Sequence, residues 1–252
     1  MMQSIFDFRN LMLDNLIDTE AEFIPLLTSE EDDELMDASI PDELPILTLR
    51  NTVLFPGVVI PITVGRDMSI KLVNDAYKGD KTIAVVSQKD VNKENPGTED
   101  LNNIGSVAHI MKVLRMPDGN TTVIIQGKKR CEITEVTSTD PYFFGKIKKL
   151  EDIKPKKTDK KFEGLVSSLK DLALQIIKDS PNIPSDASFA IKNIESRSFL
   201  VNFIASNMSL TVVQKQEMLE ESDLRIRATK VLTLLTKELQ MVEIKNQIQS
   251  KV

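Results

Sequence analysis

The stretch LPILTLRNTVLFPGVVIPITVGRDMSIKLVNDAYKGDKTIAVVSQKD, residues 44–90, decides the fold of this chain. Between its last two apolar segments, apolar residues at helical spacing predict a helix with Asp67 as its N-cap and Gly79 at its end. Three prolines in the stretch cannot donate a hydrogen bond to a neighbouring strand, so they belong at strand starts, corners or unpaired positions. This pattern favours a bent, barrel-like sheet. The segments predicted as strands are residues 46–49, 58–64 and 83–86.

The predicted sheet continues after a long polar loop, KDVNKENPGTEDLNNIG, residues 89–105. The segments SVAHIMKVLRM and TTVIIQG then flank a turn in which Pro117 fixes φ and Gly119 or Asn120 can take a positive φ. This is the clearest hairpin in the chain. Two further strands, KRCEITEV and YFFGKIKKL, would complete the sheet.

Beyond Pro155 the apolar spacing changes to about 3.6 residues, which predicts helices. A stripe from Phe162 to Ile177 forms the first helix, and Ser185 and Ser196 are suited to cap the next two. The last helix repeats apolar residues at three- and four-residue intervals without a Gly or Pro stop, as in a coiled coil. We therefore predict an α+β chain in which a bent, barrel-like β-rich domain precedes a helical bundle that ends in a long helix.

Several short motifs occur in order along the chain. They are LPxLxLR (44–50), FPG (55–57), IPxxVGR (60–66), QKD (88–90), GSVA (105–108), PDG (117–119), KQEMLE (215–220) and SDLRIRATKVLTLLTKEL (222–239). This series resembles the substrate-binding, N-terminal region of the ATP-dependent Lon protease family. The resemblance implies structural roles for the motif residues Leu49, Arg50, Pro56, Gly57, Pro61, Gly65, Arg66, Asp118 and Gly119.

The resemblance also implies a function. The chain would recognise unfolded or damaged polypeptides and help to assemble the homohexamer of a cytoplasmic, ATP-dependent serine protease that degrades misfolded and regulatory proteins. ATP and Mg²⁺ would belong to an ATPase module outside this sequence, and the uncapped last helix favours a natural chain that continues toward it. The alternative is a free-standing adaptor of the same type, which binds a partner protein or a small ligand without an attached protease. A phosphate loop encoded beyond Val252 would decide between them.

Composition and missing motifs argue against several other classes of protein. The sequence has no G-x-x-x-x-G-K-[ST] phosphate loop, no G-x-S-x-G and no H-E-x-x-H, so we predict neither catalytic residues nor ATP binding in this chain. The chain has one cysteine, Cys131, and one histidine, His109, which are too few for a disulfide or a metal site. Each of them lies in a predicted strand with an alternating pattern. A net charge of −6 disfavours nucleic acid, and no apolar run is long enough for a membrane span. We expect a reducing, cytoplasmic location.

Uneven charge marks the domain boundaries. Residues 1–40 contain Arg9 as their one basic side chain and are predicted to be an acidic, largely disordered extension. An apolar patch within residues 5–17 has helical spacing and is either a partly ordered part of that extension or a partner-binding segment. The lysine-rich residues 146–161 favour a solvated linker over a nucleic-acid site. The predicted domains are the β-rich domain (41–152), the helical bundle (153–221) and the long helix (222–252).

Two surfaces are candidates for binding. Apolar residues at the Pro-Gly corner and the hairpin tip could contact unfolded polypeptides, namely Leu54, Phe55, Val58, Met116 and Pro117. The corner has a second interpretation, because Leu54 and Val58 could instead fold into the core. For assembly we predict the apolar seam of the last helix: Val231, Leu235, Leu239 and Val242. A helix of about 30 residues spans about 45 Å, which a small bundle cannot cover, so its far end should be exposed.

Overall fold

The computed structural model describes residues 40–180, residue 183 and residues 185–251. The chain divides into two compact units. Among the described residues, the sheet unit comprises 40–151 and 211–220, and the helical unit comprises 152–210 and 221–251. The predicted acidic extension lies outside the described residues apart from Ile40. The predicted domain bounds remain predictions, and the observed division differs from them by grouping residues 211–220 with the sheet.

Six strands build the described part of the sheet unit. They are β1 (Glu43–Leu49), β2 (Val59–Val64), β3 (Thr82–Ser87), β4 (Ile104–Arg115), β5 (Thr121–Ser138) and β6 (Phe144–Lys149). Helix α1 (Asp67–Lys78) connects β2 to β3, and a 3-10 turn (Thr98–Asp100) lies in the polar loop before β4.

The strands form one sheet in the order β2-β5-β4-β3-β1-β6. Strands β1 and β3 run parallel, and the other neighbouring pairs run antiparallel. The second part of the 18-residue β5 also pairs with β6, so the sheet bends round on itself. Register shifts in the β4–β5 and β5–β6 pairs give the local kinks that β-bulges produce. The sequence predicts two strands where the structure has the single β5.

Pro61 lies in a strand at the end of the sheet, whereas Cys131 lies in the core of the sheet unit. Pro61 is in β2, at one end of the strand order, where the missing N–H of proline is tolerated. Ile40, Ile133 and Val136 pack against the core as partly buried residues. One cluster of buried side chains from several strands comprises Leu44, Ile46, Ala84, Val86, Leu101, Val107, Cys131, Phe143 and Ile147.

Five further helices follow the sheet. They are α2 (Lys160–Asp179), α3 (Ser185–Asn193), α4 (Arg197–Asn207), α5 (Val212–Glu220) and α6 (Leu224–Lys251). Helix α5 belongs to the sheet unit and the other four to the helical unit. The predicted fold class is confirmed: an α+β chain with a bent β-rich part, a helical bundle and a long final helix.

One of the three predicted helix caps is confirmed, and the other two are displaced by one residue. Ser196 caps α4 as predicted, because its hydroxyl accepts a hydrogen bond from the N–H of Phe199. Ser185, predicted as a cap, is instead the first helical residue of α3. The prediction of Asp67 as the N-cap of α1 is wrong by one residue, because Arg66 occupies the cap position without a side-chain cap bond. Asp67 lies in the first turn, where a negative charge interacts favourably with the helix dipole.

Candidate binding surfaces

The Pro-Gly corner is a tight turn held against β5. The N–H of Val58 donates to the carbonyl oxygen of Phe55 at 3.2 Å, and Gly57 has a φ of 82°. A positive φ at the third residue is what a type II turn requires, and proline favours the position before it. Gly57 and Gly127 are joined by an N–H···O bond of 2.9 Å, and the Gly127 N–H donates to Val58 at the same distance.

Gly127 allows the corner to approach β5 this closely. A Cβ atom added at Gly127 would lie 2.2 Å from the Phe55 carbonyl oxygen, a distance that no real Cβ contact shows. The glycine is therefore required for the approach of the two backbones rather than for a turn. This contact fixes the corner, and with it the direction in which Phe55 points.

The three apolar residues of the corner are core, not surface. Leu54, Phe55 and Val58 expose 2%, 0% and 4% of their surface. They therefore cannot form an exposed patch for unfolded polypeptides in this conformation, and the second interpretation of the corner, burial in the core, is the one the structure bears out. The physical reason is the tie between the turn and Gly127, which turns these side chains inward.

The hairpin tip at Met116 and Pro117 remains on the surface. Pro117 is exposed and Met116 is half-buried. The turn is closed by the Gly119 N–H, which donates to Met116 at 3.0 Å, and Gly119 has a φ of 88°. Asp118 accepts hydrogen bonds from the backbone and side chain of Asn120, which lower the pKa of its carboxyl group. A polypeptide-binding role for Met116 and Pro117 therefore stays a prediction, now without the corner residues.

Arg66 connects three separate motif-bearing segments. Arg66 donates to Thr48 Oγ1 at 3.1 Å and to Gln88 Oε1 at 2.9 Å, which ties the start of α1 to β1 and to the polar loop. The buried Gln88 amide in turn donates to the carbonyl oxygens of Asp90 and Lys93. Burial, and then the positive charge of neighbouring Arg50, lower the pKa of Arg66.

Three further motif residues, Arg50, Leu49 and Gly65, differ in their surroundings. Arg50 donates from Nε to the carbonyl oxygen of Val91 at 2.7 Å and so holds the same loop. Leu49 is buried at the end of β1. Gly65 is exposed, and a Cβ there would meet nothing within 4 Å. Through Arg50 and Arg66, the motifs hold the loop between β3 and β4 in place.

Burial shifts the pKa values of both His109 and Cys131. Burial first, and then the charges of Lys128 and Lys81, hold the pKa of His109 below its ordinary value. Burial raises the pKa of the Cys131 thiol to about 12, so the thiol is not activated for nucleophilic attack. In the described part of the chain, no group of three or more His, Cys, Asp or Glu residues could hold a metal ion.

Helix α5 is docked on the sheet by polar contacts that the sequence analysis did not foresee. Gln216 accepts from the hydroxyl of Ser87 at 2.8 Å and donates to the carbonyl oxygen of Ile104 at 2.9 Å. The buried Arg130 donates to the carbonyl oxygen of Leu219 at 3.0 Å. A signal existed, because helical spacing puts Gln216 on the same face as Leu219, where an unpaired amide would be costly.

The predicted assembly seam is divided between core and surface. Val231 and Leu235 are fully buried, so they stabilise the helical unit and are not available to another copy. Leu239 and Val242 are half-buried. Besides Ile226 in its first turn, the apolar residues that α6 exposes are Met241, Ile244 and Ile248, with exposures of 64%, 52% and 60%. The prediction that the far end of the helix is exposed is confirmed.

No helix within the described residues combines the length and the apolar character that a membrane span requires. Within the described residues, buried polar side chains therefore position loops and helices, and the hairpin tip and the far part of α6 expose apolar side chains.

Comparison with known proteins identifies the family. Residues 43–237 match the family model described as the ATP-dependent protease La (LON) substrate-binding domain. The chain therefore belongs to the Lon substrate-binding domain family, as the motifs predict. It is 56% identical over 246 residues to the Lon protease of Flavobacterium johnsoniae, and 47% identical over 238 residues to that of Cytophaga hutchinsonii. These alignments cover 96% and 94% of this chain but 30% and 29% of the relatives, so the chain spans less than a third of their length.

Solved structures share the fold. The N-terminal domain of the Mycobacterium avium complex Lon protease matches with a TM-score of 0.62 at 17% identity, over 77% of this chain and 98% of that domain. A Lon N-terminal domain protein from Xanthomonas campestris matches with a TM-score of 0.55 at 17% identity, over 76% and 97% of the two chains. At this identity the likeness supports the fold, and the family assignment rests on the sequence matches.

Proposed function

We propose that this chain is the part of an ATP-dependent, Lon-like serine protease that recognises unfolded or damaged polypeptides and helps to assemble the enzyme. The observation that carries the proposal is the match of residues 43–237 to the Lon substrate-binding domain family. The Lon proteases that align with 96% and 94% of this chain support the same role. Degradation of misfolded and regulatory proteins would then be the activity of the longer protein.

The surface for polypeptide is proposed at the hairpin tip. Met116 offers a flexible, polarizable side chain that adapts to different apolar partners, and exposed Pro117 keeps the tip rigid. An adaptable surface of this type suits a binder that accepts many unfolded sequences.

Binding of a permanently unfolded protein tests the proposal. The purified chain is titrated into fluorescently labelled, reduced and carboxymethylated α-lactalbumin, and fluorescence anisotropy is measured. We expect saturable binding that the same protein in its native, disulfide-bonded form does not show. Equal binding to both forms, or no binding to either, would contradict the proposed recognition of unfolded polypeptide.

A matched pair of variants tests the surface separately. Met116→Ser should weaken the binding, whereas Met68→Ser removes an exposed methionine on α1 and should leave it unchanged. If both variants bind like the parent chain, polypeptide recognition remains supported and its surface lies away from the hairpin tip.

Nucleotide chemistry and self-association complete the proposal. Because the sequence has no phosphate loop, ATP and Mg²⁺ are proposed to act on an ATPase module outside residues 1–252, and this chain is proposed to lack ATPase and protease activity by itself. The exposed stripe on α6, defined as Met241, Ile244 and Ile248, is proposed to support self-association within a hexamer. The proposed location is the cytoplasm, where a free thiol such as Cys131 stays reduced.

A further inference from the structure

Arg227 is a fully buried charge at the base of α6. Its side chain is 0% exposed, and it donates hydrogen bonds from all three guanidinium nitrogens. Two of these bonds form a fork on the Asp152 carboxylate, each 3.0 Å long. Others reach the side-chain oxygen of Asn202 and the carbonyl oxygen of Glu221. A paired arrangement of this kind is directional as well as strong, because the planar guanidinium matches the carboxylate in only a few geometries.

The partners of Arg227 come from three separate segments of the helical unit. Asp152 lies in the segment before α2, Asn202 lies in the middle of α4, and Glu221 precedes α6. Two further ties act nearby: Arg225 pairs with Asp159, and the backbone N–H of Leu224 donates to Ile153 at 3.1 Å.

The same helix is packed along its first part and exposed along its second. Its buried apolar residues end at Leu235, and every described side chain from Thr236 to Ile248 is half-buried or exposed. The residues from Thr236 to Lys251 span about 24 Å at a rise of about 1.5 Å per residue. The second part of α6 is therefore a rod that extends from a packed base.

Apolar packing alone would restrict tilting and rolling of the base of α6 only weakly. Contacts between apolar side chains are non-directional, so they resist separation of α6 from its neighbours more than they resist tilting or rolling. Hydrogen bonds from one guanidinium to three segments resist both. A tilt of about 10° at the base would move the tip of the rod by about 4 Å over its length of about 24 Å.

We propose that the Arg227 cluster, defined as Arg227 with Asp152, Asn202 and Glu221, is a rigid joint that fixes the direction in which the exposed part of α6 leaves the helical unit. Whatever binds the exposed part is thereby held at a set position relative to that unit. Arg227 acts as a positioning residue in this device. The joint does not depend on the polypeptide binding proposed above, because all of its groups belong to the helical unit.

Distance measurement between two spin labels tests the joint. The exposed residues Ser168 on α2 and Lys245 on α6 are changed to cysteine and labelled in a Cys131→Ala background, and the distance distribution is measured by pulsed electron paramagnetic resonance. The test variant combines Arg227→Met with Asp152→Leu. Replacing both partners avoids leaving a buried charge without its counter-ion, so the variant is expected to fold.

We expect the distribution to widen at least twofold in this double variant while the melting temperature stays close to that of the parent. Glu163→Gln is the control, because it breaks an exposed ion pair with Arg197 in the same unit and should leave the distribution unchanged. An unchanged distribution in a folded double variant would overturn the proposal and assign the direction of α6 to backbone ties and apolar packing.

A second variant covers the case in which the double variant does not fold. Arg227→Lys keeps the charge but cannot form the fork on Asp152 while also reaching Asn202 and Glu221. We expect an intermediate widening, with circular dichroism showing the helices intact. A folded Arg227→Lys chain with the parent distribution would count against the joint.

Discussion

At the residue scale, Phe55 is the side chain whose environment matters most for the candidate site. It follows two apolar residues, Val53 and Leu54, and precedes a proline, so its sequence neighbours suit either a core strand end or an exposed turn. Two hydrogen bonds between the corner and β5 select the first of these. Of the residues predicted to bind polypeptide, only those of the hairpin tip thereby remain candidates.

Phe55→Ser should destabilise the chain strongly. Truncating a buried phenylalanine usually costs about 3–5 kcal/mol, because apolar contacts are lost and a cavity remains. Met116→Ser, on a half-buried side chain at the hairpin tip, should cost far less. Urea unfolding followed by circular dichroism measures both, and a Phe55→Ser chain as stable as Met116→Ser would show that the corner is not core.

A pair of glycine substitutions should change stability in opposite directions. Gly127→Ala forces a Cβ atom to within 2.2 Å of the Phe55 carbonyl oxygen, so the corner must move away from β5 and the chain should be destabilised. Gly164→Ala places a methyl group in open space inside α2 and should stabilise by about 0.5–1 kcal/mol. Thermal unfolding compares the two, and a loss of stability in both variants would contradict the expected packing at α2.

At the element scale, sequence patterns predict most helices and strands, and fail where distant segments decide. The hairpin around Gly119 and the cap at Ser196 follow from local chemistry, and both are confirmed. The grouping of α5 with the sheet depends on Gln216 meeting Ser87, a pair separated by 129 positions, and no local pattern specifies that contact. The burial of Phe55 and Arg227 depends on long-range partners in the same way.

The N-terminus of α2 should show a defined pH dependence. Asp159 caps this helix, and the hydrogen bond from the N–H of Phe162, followed by that from Arg225, lowers the pKa of its carboxyl group. Because the folded-state pKa is below the unfolded value of about 3.9, the stabilisation is complete above that pH and is lost as the pH falls through the folded value. NMR titration of the Asp159 side chain should give a pKa below its ordinary value.

A variant isolates this contribution. Asp159→Asn keeps a side-chain oxygen for the cap but cannot titrate, so its stability should depend less on pH below about 4 than that of the parent chain. The comparison requires thermal melts at several pH values. Identical pH profiles for the two chains would show that Asp159 does not contribute to acid destabilisation.

At the scale of the whole molecule, the chain has two compact units, and the long helix α6 of the helical unit has fully buried side chains only in its first part. Family membership and the exposed apolar stripe of Met241, Ile244 and Ile248 together support the proposal that the stripe acts in assembly. A set of exposed apolar residues repeated at three- and four-residue intervals is the pattern with which one helix packs against another. The sequence-based prediction of an assembly seam includes Val231 and Leu235, which the helical unit buries, and assembly through the rest of this helix stays a prediction.

Truncation after Lys237 should therefore separate assembly from folding. This cut removes the exposed stripe and retains Val231 and Leu235, which the helical unit buries. We expect any dimer of the parent chain to be lost in sedimentation velocity while the melting temperature changes little. A cut after Lys230 would also remove the two buried residues, and each buried side chain of this size contributes about 1.5–3 kcal/mol, so that chain should be less stable as well as monomeric. If the chain ending at Lys237 retains the oligomer of the parent, the contact between copies lies outside the second part of α6, and the stripe must serve another partner.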